Sequence, residues 1–173
     1  MGMVDQAVIN FACYEDAKDF LGLASVTLPD VDFITTTVSG AGIAGNVEAP
    51  IIGHMNAMTA QLKFRTFSTE SLKLQEPREH NVDLRAPQQV YDPIAGVYKT
   101  QSVKHVLVLV PKTLSNGNVA PASPTDGSGS YAVRRWVTYI DDAKVMELDP
   151  YNYICEVNGV DYLSDTRKAL GKS

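Results

Sequence analysis

The sequence predicts a mainly β protein, and three observations carry that prediction. Runs rich in Val, Thr, Tyr and Ile recur along the 173 residues and are separated by turn residues. In Phe33-Ile34-Thr35-Thr36-Thr37-Val38 β-branched side chains dominate, which disfavours helix and suits a pleated surface. Helix signals are confined to two short stretches. With 45% hydrophobic residues, the length fits one domain over residues 1–173 with an ordinary core.

In chain order, the strand candidates are Ala7–Tyr14, Gly22–Leu28, Phe33–Ser39, Thr59–Thr66, Val82–Tyr91, Ser102–Lys112, Tyr131–Ile140 and Lys144–Asp149. Between the first two, Glu15–Phe20 reads as a hairpin turn. Ser68 is placed to cap a short helix with Glu70 in its first turn, ended before Pro77. The run Val106–Val110 is apolar on both faces, as in a strand covered on each side or one that meets a partner subunit. Residues Ser115–Ser130, rich in Gly, Ser, Asn and Pro, form no core and predict a flexible surface loop. Asp141-Asp142 sits at a hairpin turn. A C-terminal helix is expected over residues 161–171, with Asp161 as N-cap, Arg167 and Lys168 in the last turn and Gly171 just past the end.

Fifteen basic against twenty acidic residues give a net charge of −5. That balance argues against a nucleic-acid-binding face, which must be electropositive. The N-terminus lacks a basic region followed by an apolar core, and no stretch approaches the roughly 20 apolar residues that span a bilayer. The expectation is a soluble product of the cytoplasm without a membrane anchor. Cys13 and Cys155 are too far apart in sequence to suggest a zinc site or a disulfide framework, so both read as buried, reduced thiols.

Signals for catalysis are weak. Gly40-Ala41-Gly42-Ile43-Ala44-Gly45 matches G-x-G-x-x-G after a strand, but a dinucleotide site needs a helix to begin there. Pro50 and Gly53 make the following segment a poor helix, so the glycines read as a flexible tip. His54, His80 and His105 have no second ligand at metal spacing. No serine-nucleophile elbow, zincin motif or P-loop is present. No cofactor and no enzymatic activity are expected.

The segment 31–52 stands apart: β-branched on its rising arm, glycine-rich at its middle, and bounded by Pro29 and Pro50. Nine extended residues from Asp32 to Gly40 reach about 30 Å, against a radius of gyration of about 16 Å for the domain. Such an arm either lies outside its own domain and packs on a neighbour, or folds back on its own sheet. An isolated two-stranded ribbon is marginal in water.

Two groups of residues then resemble a known family. The first is Ala24-Ser25-Val26-Thr27-Leu28-Pro29-Asp30-Val31, with Ser39–Gly45 and Ala49-Pro50. The second is Ile140-Asp141-Asp142, Glu147-Leu148-Asp149, Glu156–Leu163 and Arg167–Gly171. Together they resemble the major tail tube proteins of contractile-tailed phages, or the related tube of a phage-tail-like bacteriocin, although Asp142 stands where a glycine is common. The resemblance implies a small β-barrel or sandwich of two antiparallel sheets with a flanking short helix, a protruding hairpin and a C-terminal helix. It implies six-membered rings stacked helically around a channel, with contacts that close a ring in one direction and continue as a filament in the other. Expected partners are further copies of the chain, the sheath protein, the baseplate or tube initiator, the tape measure and the tail terminator. DNA passes as cargo without specific binding, and the location is the tail tube of a virion.

On this reading the subunit interface draws on Phe33, Ile34, Thr36, Val38, Gly40, Gly42, Ile43, Gly45, Val47, Pro50, Asn158, Asp161 and Arg167. Asp83, Asp92, Glu147 and Asp149 are the candidates for an acidic channel wall, six copies together carrying about −30 from −5 apiece. The alternatives are the inner tube of a bacteriocin or contractile secretion system, and a monomeric ligand-binding or enzymatic β-barrel.

Overall fold

The structure, a computed structural model, describes residues 2–172. Among these residues fifteen strands alternate with two short helices. In order they are β1 (Val4–Val8), β2 (Ala12–Glu15), β3 (Asp19–Leu21), β4 (Leu23–Thr27), β5 (Phe33–Val38), β6 (Val47–Met55), β7 (Met58–Phe64), α1 (Thr69–Lys73), β8 (His80–Arg85), β9 (Gln88–Asp92), β10 (Val97–Gln101), β11 (Val103–Ser115), β12 (Ser128–Ile140), β13 (Ala143–Asp149), β14 (Ile154–Val157), β15 (Val160–Asp161) and α2 (Ser164–Ala169). All pairings are antiparallel and sort into sheets of ten, three and two strands.

The organising unit is the long hairpin β11–β12. Lys104–Leu109 of β11 pairs with β8, which continues through β2 to β3. On the far edge of β12, Ser128–Val133 pairs with β7, whereas Trp136–Ile140 pairs with β13 and leads on to β14 and β15. The switch falls where the register shifts between Val108 and Leu109, leaving Arg134 as the extra residue opposite them. A bulge there bends the hairpin, so that two arms of one sheet face each other. Ala60, Leu62 and Tyr131 from one arm meet Val82, Leu107, Trp136 and Leu148 from the other in a single core, sealed by Leu74 and Leu163. A mainly β fold with two short helices is therefore what the structure has. The barrel alternative does not materialise, because the strand path ends at β15 and β3, two and three residues long, and does not join up.

Several expected strands are divided. Ala7–Tyr14 breaks at Ile9–Phe11, where Asn10 accepts the Phe11 N–H through its side chain. Val82–Tyr91 breaks at Ala86-Pro87, because Pro87 has no N–H to continue the ladder. The two breaks face each other, Ile9 N–H donating to the Pro87 carbonyl. At that crossing both strands leave the large sheet for the three-stranded sheet β1-β9-β10. The 115–130 loop shortens to 116–127, since β11 and β12 run further than their composition suggests.

Turns and caps follow local chemistry. Asp16 and Ala17 (φ 52° and 58°) turn β2 into β3, and Asp141 and Asp142 (φ 48° and 66°) turn β12 into β13. The second is the left-handed pair that a two-residue hairpin requires, Ile140 pairing with Ala143, whereas the first belongs to a three-residue loop between Glu15 and Asp19. Ser68 caps α1 in a reciprocal exchange with Ser71. In α2 the cap differs from expectation. Asp161 ends β15, and Leu163 occupies the N-cap position. Gly171 ends α2 as expected, with φ +69° and with Lys172 N–H returning to the Arg167 carbonyl.

Candidate assembly interface

Strands β5 and β6 pair only with each other. Every residue of β5 is exposed. Strand register divides the ribbon into two unlike faces. Val38 pairs with Val47 and Thr36 with Ala49, and alternation along β5 adds Ile34 to the same side. That face is uncharged and mostly aliphatic. On the other side Thr37 pairs with Glu48 and Thr35 with Pro50, and the Thr35 hydroxyl donates to Glu48 at 2.7 Å. The tip turns through Gly40, Gly42 and Gly45 at φ 132°, 88° and 121°, with Ile43 exposed between them. A strand follows the G-x-G-x-x-G run, so no helix N-terminus faces a phosphate there.

The root of the ribbon is fastened to the body. Asn56 donates to Asp32 twice, from its backbone N–H to the carbonyl at 2.7 Å and from its side chain to the carboxylate at 2.9 Å. Gly53 sits at φ +68° directly against Leu163. Beside this contact, Phe33, Pro50, Ile51 and Ile52 of the ribbon face Cys155, Val157 and Tyr162 across an apolar groove.

Of the nominated residues, Phe33 and Pro50 meet the C-terminal segment at this groove, whereas Asn158, Asp161 and Arg167 lie on that segment without lining it. Ile34, Thr36, Val38 and Val47 share the apolar face, while Phe33 and Pro50 lie on the other side near the groove. Asn158 is exposed at the β14–β15 turn. Asp161 and Arg167 are engaged with each other at 2.6 Å, and Arg167 also donates to the Tyr153 carbonyl at 2.7 Å. Burial pushes the Asp161 carboxyl upward, but Arg167 and the Leu163 N–H outweigh it and hold the group below its ordinary value. These two residues pin α2 to the sheet that carries the groove.

The four acids nominated for a channel wall are all occupied locally. Asp83 and Glu147 lie on one row, Asp83–Val106–Val137–Glu147, on the face turned away from the core. Glu147 is nearly buried, yet Arg135 at 2.7 Å and Lys144 at 2.8 Å outweigh that burial and hold its carboxyl below the usual range. Asp83 has Arg85 at 3.8 Å. Asp149 accepts from the backbone N–H groups of Tyr151 and Asn152. Asp92 stands in the three-stranded sheet, where the N–H groups of Ala95 and Ile94 and the Lys99 ammonium depress it.

Among the described residues, no three of His, Cys, Asp and Glu converge as metal ligands do. Both cysteines are buried and free. Burial, with Asp83 second, pushes the Cys13 thiol up to about 12. What the sequence reading missed is the hairpin β14–β15. Asn158 and Gly159 (φ 51° and 82°) form its turn, and Asn-Gly between apolar residues is a strong hairpin signal.

The model of the family described as "Phage tail tube protein FII" matches residues 5–171. No curated protein gives a significant match. Among solved structures, the fold is similar to a chain of a PVC sheath/tube terminator from an extracellular contractile injection system in the extended state. That chain is 12% identical, with a TM-score of 0.55 over 76% of this chain and 94% of the other. A chain of the PVC sheath-tube complex is 13% identical, with a TM-score of 0.53 over 75% and 88% of the two chains. A chain of the anti-feeding prophage tube-terminating cap is 12% identical, with a TM-score of 0.51 over 75% and 87%.

Proposed function

This chain belongs to the phage tail tube protein FII family, a structural family and not an enzymatic one, and we propose from that premise that it is the repeating subunit of the inner tube of a contractile phage tail. On this reading residues 1–173 act as one tail tube domain. Six copies form a ring, rings stack helically, and DNA crosses the channel toward the host cell. Sheath protein surrounds the tube, an initiator at the baseplate and a terminator bound its ends, and a tape measure sets its length.

The observation that carries the reading is the ribbon β5–β6, which has one uncharged face and, among the described residues, pairs with no third strand. A two-stranded ribbon is marginal alone, and a neighbouring copy supplies what it lacks. The apolar face, with Ile34, Thr36, Val38 and Val47, docks; the face with Thr35, Thr37 and Glu48 stays toward water. The tip, with Gly40, Gly42, Ile43 and Gly45, reaches the adjoining subunit. Phe33, Pro50 and Asn158 border the same contact, and Asp161 and Arg167 hold α2 in place beside it.

For the channel wall we assign the core-averted face of the long sheet, with Asp83, Glu147 and Asp149. Arg85, Arg135 and Lys144 stand among these acids, so the wall is a mixed-charge surface on a chain of net charge −5. A polyanion finds no continuous cationic track there and slides.

The test compares Thr36→Asp with Thr37→Asp, neighbours that differ in face and are alike in exposure. Thr36→Asp should abolish rods in negative-stain electron microscopy while the monomer melts normally; Thr37→Asp should leave rods intact. Equal polymerisation by both would remove the ribbon from the interface. A second setting shares this physics: folds similar to this one come from an extracellular contractile injection system, whose inner tube is the alternative reading for this chain.

A further inference from the structure

Trp136, the single tryptophan of the chain, stands where β12 changes neighbours. It lies just past the bulge at Arg134, at the start of the stretch that pairs with β13. Its side chain is buried, so the indole N–H needs an acceptor inside the protein. Nδ1 of His105 on β11 is that acceptor, at 3.3 Å, with the two ring centres 5.9 Å apart. An indole N–H only donates, so Nδ1 offers its lone pair and the neutral ring carries its hydrogen on Nε2. The Thr138 hydroxyl, 2.9 Å from the same nitrogen, is free to rotate and donate as well.

The surroundings of the ring are uncharged. His105 shares a row with Leu84 of β8 and Thr138 of β12, and the row runs on to Cys13 of β2 and Met146 of β13. The Cys13 thiol, pushed up to about 12 by burial first, is neutral. In the next row Glu15 and Cys155 stand at opposite ends, with Val82, Leu107, Trp136 and Leu148 between them. Glu15 is already engaged by Arg78 and His80. Asp83, Arg85, Lys104, Lys144 and Glu147 alternate onto the opposite face. Burial is accordingly what acts on His105, and it holds the ring below the ordinary histidine value.

We propose that His105 is an acid-sensitive catch: as a neutral ring it pins Trp136 beside the bend of β12, and as an imidazolium it lets Trp136 go. Protonation places a hydrogen on Nδ1. The Thr138 hydroxyl can turn round to accept it, but the indole N–H then faces a donor and is left buried without an acceptor. The direction of the pH effect follows. A histidine lowered by burial favours the neutral ring in the fold. The stability it contributes is complete above the unfolded value, about 6.5, and is lost as pH falls through the lower folded value.

The test is tryptophan emission of the full chain as pH falls, which reports on Trp136 alone. Emission should shift to the red in a single titration centred below about 6.5, before circular dichroism records loss of strands. His105→Gln supplies an amide oxygen that accepts but does not titrate, so it should keep the emission flat over the same range. No shift ahead of strand loss, or the same titration in His105→Gln, would overturn the proposal. Should the variant fail to fold, ring nitrogen shifts of the wild-type protein at neutral pH decide. A neutral His105 with its hydrogen on Nε2 supports the catch; a hydrogen on Nδ1 refutes it.

Discussion

Gly53 shows how much of the interface geometry rests on one residue. Its φ of +68° is strained for any L side chain, and a Cβ there would lie 2.5 Å from the Leu163 side chain. Gly40, by contrast, has φ +132° and open space around its missing Cβ. Gly53→Ala should therefore cost about 1–3 kcal/mol by urea denaturation, and Gly40→Ala distinctly less. Equal losses would mean that the ribbon root is not fastened where the structure puts it. The sequence marked Gly53 as unfit for helix and Gly40 as part of a flexible tip, but it held no sign that Gly53 meets Leu163, 110 positions away. Asp161 illustrates a nearer miss. Its side chain does accept a helix-entry N–H, that of Leu163 at 3.1 Å, as the N-cap reading expects. The helix nevertheless starts later, because Val160-Asp161 first pairs back onto β14.

At the scale of elements, boundaries follow backbone chemistry and sheet membership follows long-range pairing. The turns at Asp16-Ala17 and Asp141-Asp142 and the Ser68 cap were legible, since each is a local hydrogen-bonding problem with a local solution. The divisions at Asn10 and Pro87 were not, because each break is stabilised by the other through Ile9 and Pro87, 78 positions apart. The α2 tether is also an element-scale device and gives a pH signature. The Asp161 carboxyl is held below its ordinary value by Arg167 and the Leu163 N–H, against the opposing effect of burial. A depressed acid stabilises the fold above the unfolded carboxylate range, about 3.9, and that contribution is lost as pH falls through the folded value. Asp161→Asn should thus lower stability at neutral pH and flatten its decline below about pH 4, followed by thermal melts across pH. A parallel decline in both proteins would show that the pair does not hold α2.

Across the whole molecule, mainly β content and a distinct arm over 31–52 could be read from composition and β-branched runs, whereas whether that arm stands free or folds back, and the folded-over sheet, could not. Its shape depends on the bulge at Arg134 of β12, set by pairing with Val108 and Leu109 in an apolar run that does not mark the register. The same run has alternating burial, Leu107 and Leu109 inside and Val106 and Val108 half-covered outside, which the apolar sequence conceals. The sheet ends in short strands, and the ribbon leaves an aliphatic face bare, so the monomer satisfies its core but not its surface. Cryo-electron microscopy of the polymerised chain addresses this most directly. The face carrying Ile34, Thr36, Val38 and Val47 should be buried against an adjoining copy, with Thr35, Thr37 and Glu48 toward water. A tube whose ribbon is solvated on both faces, or buried on the Glu48 side, would contradict the account.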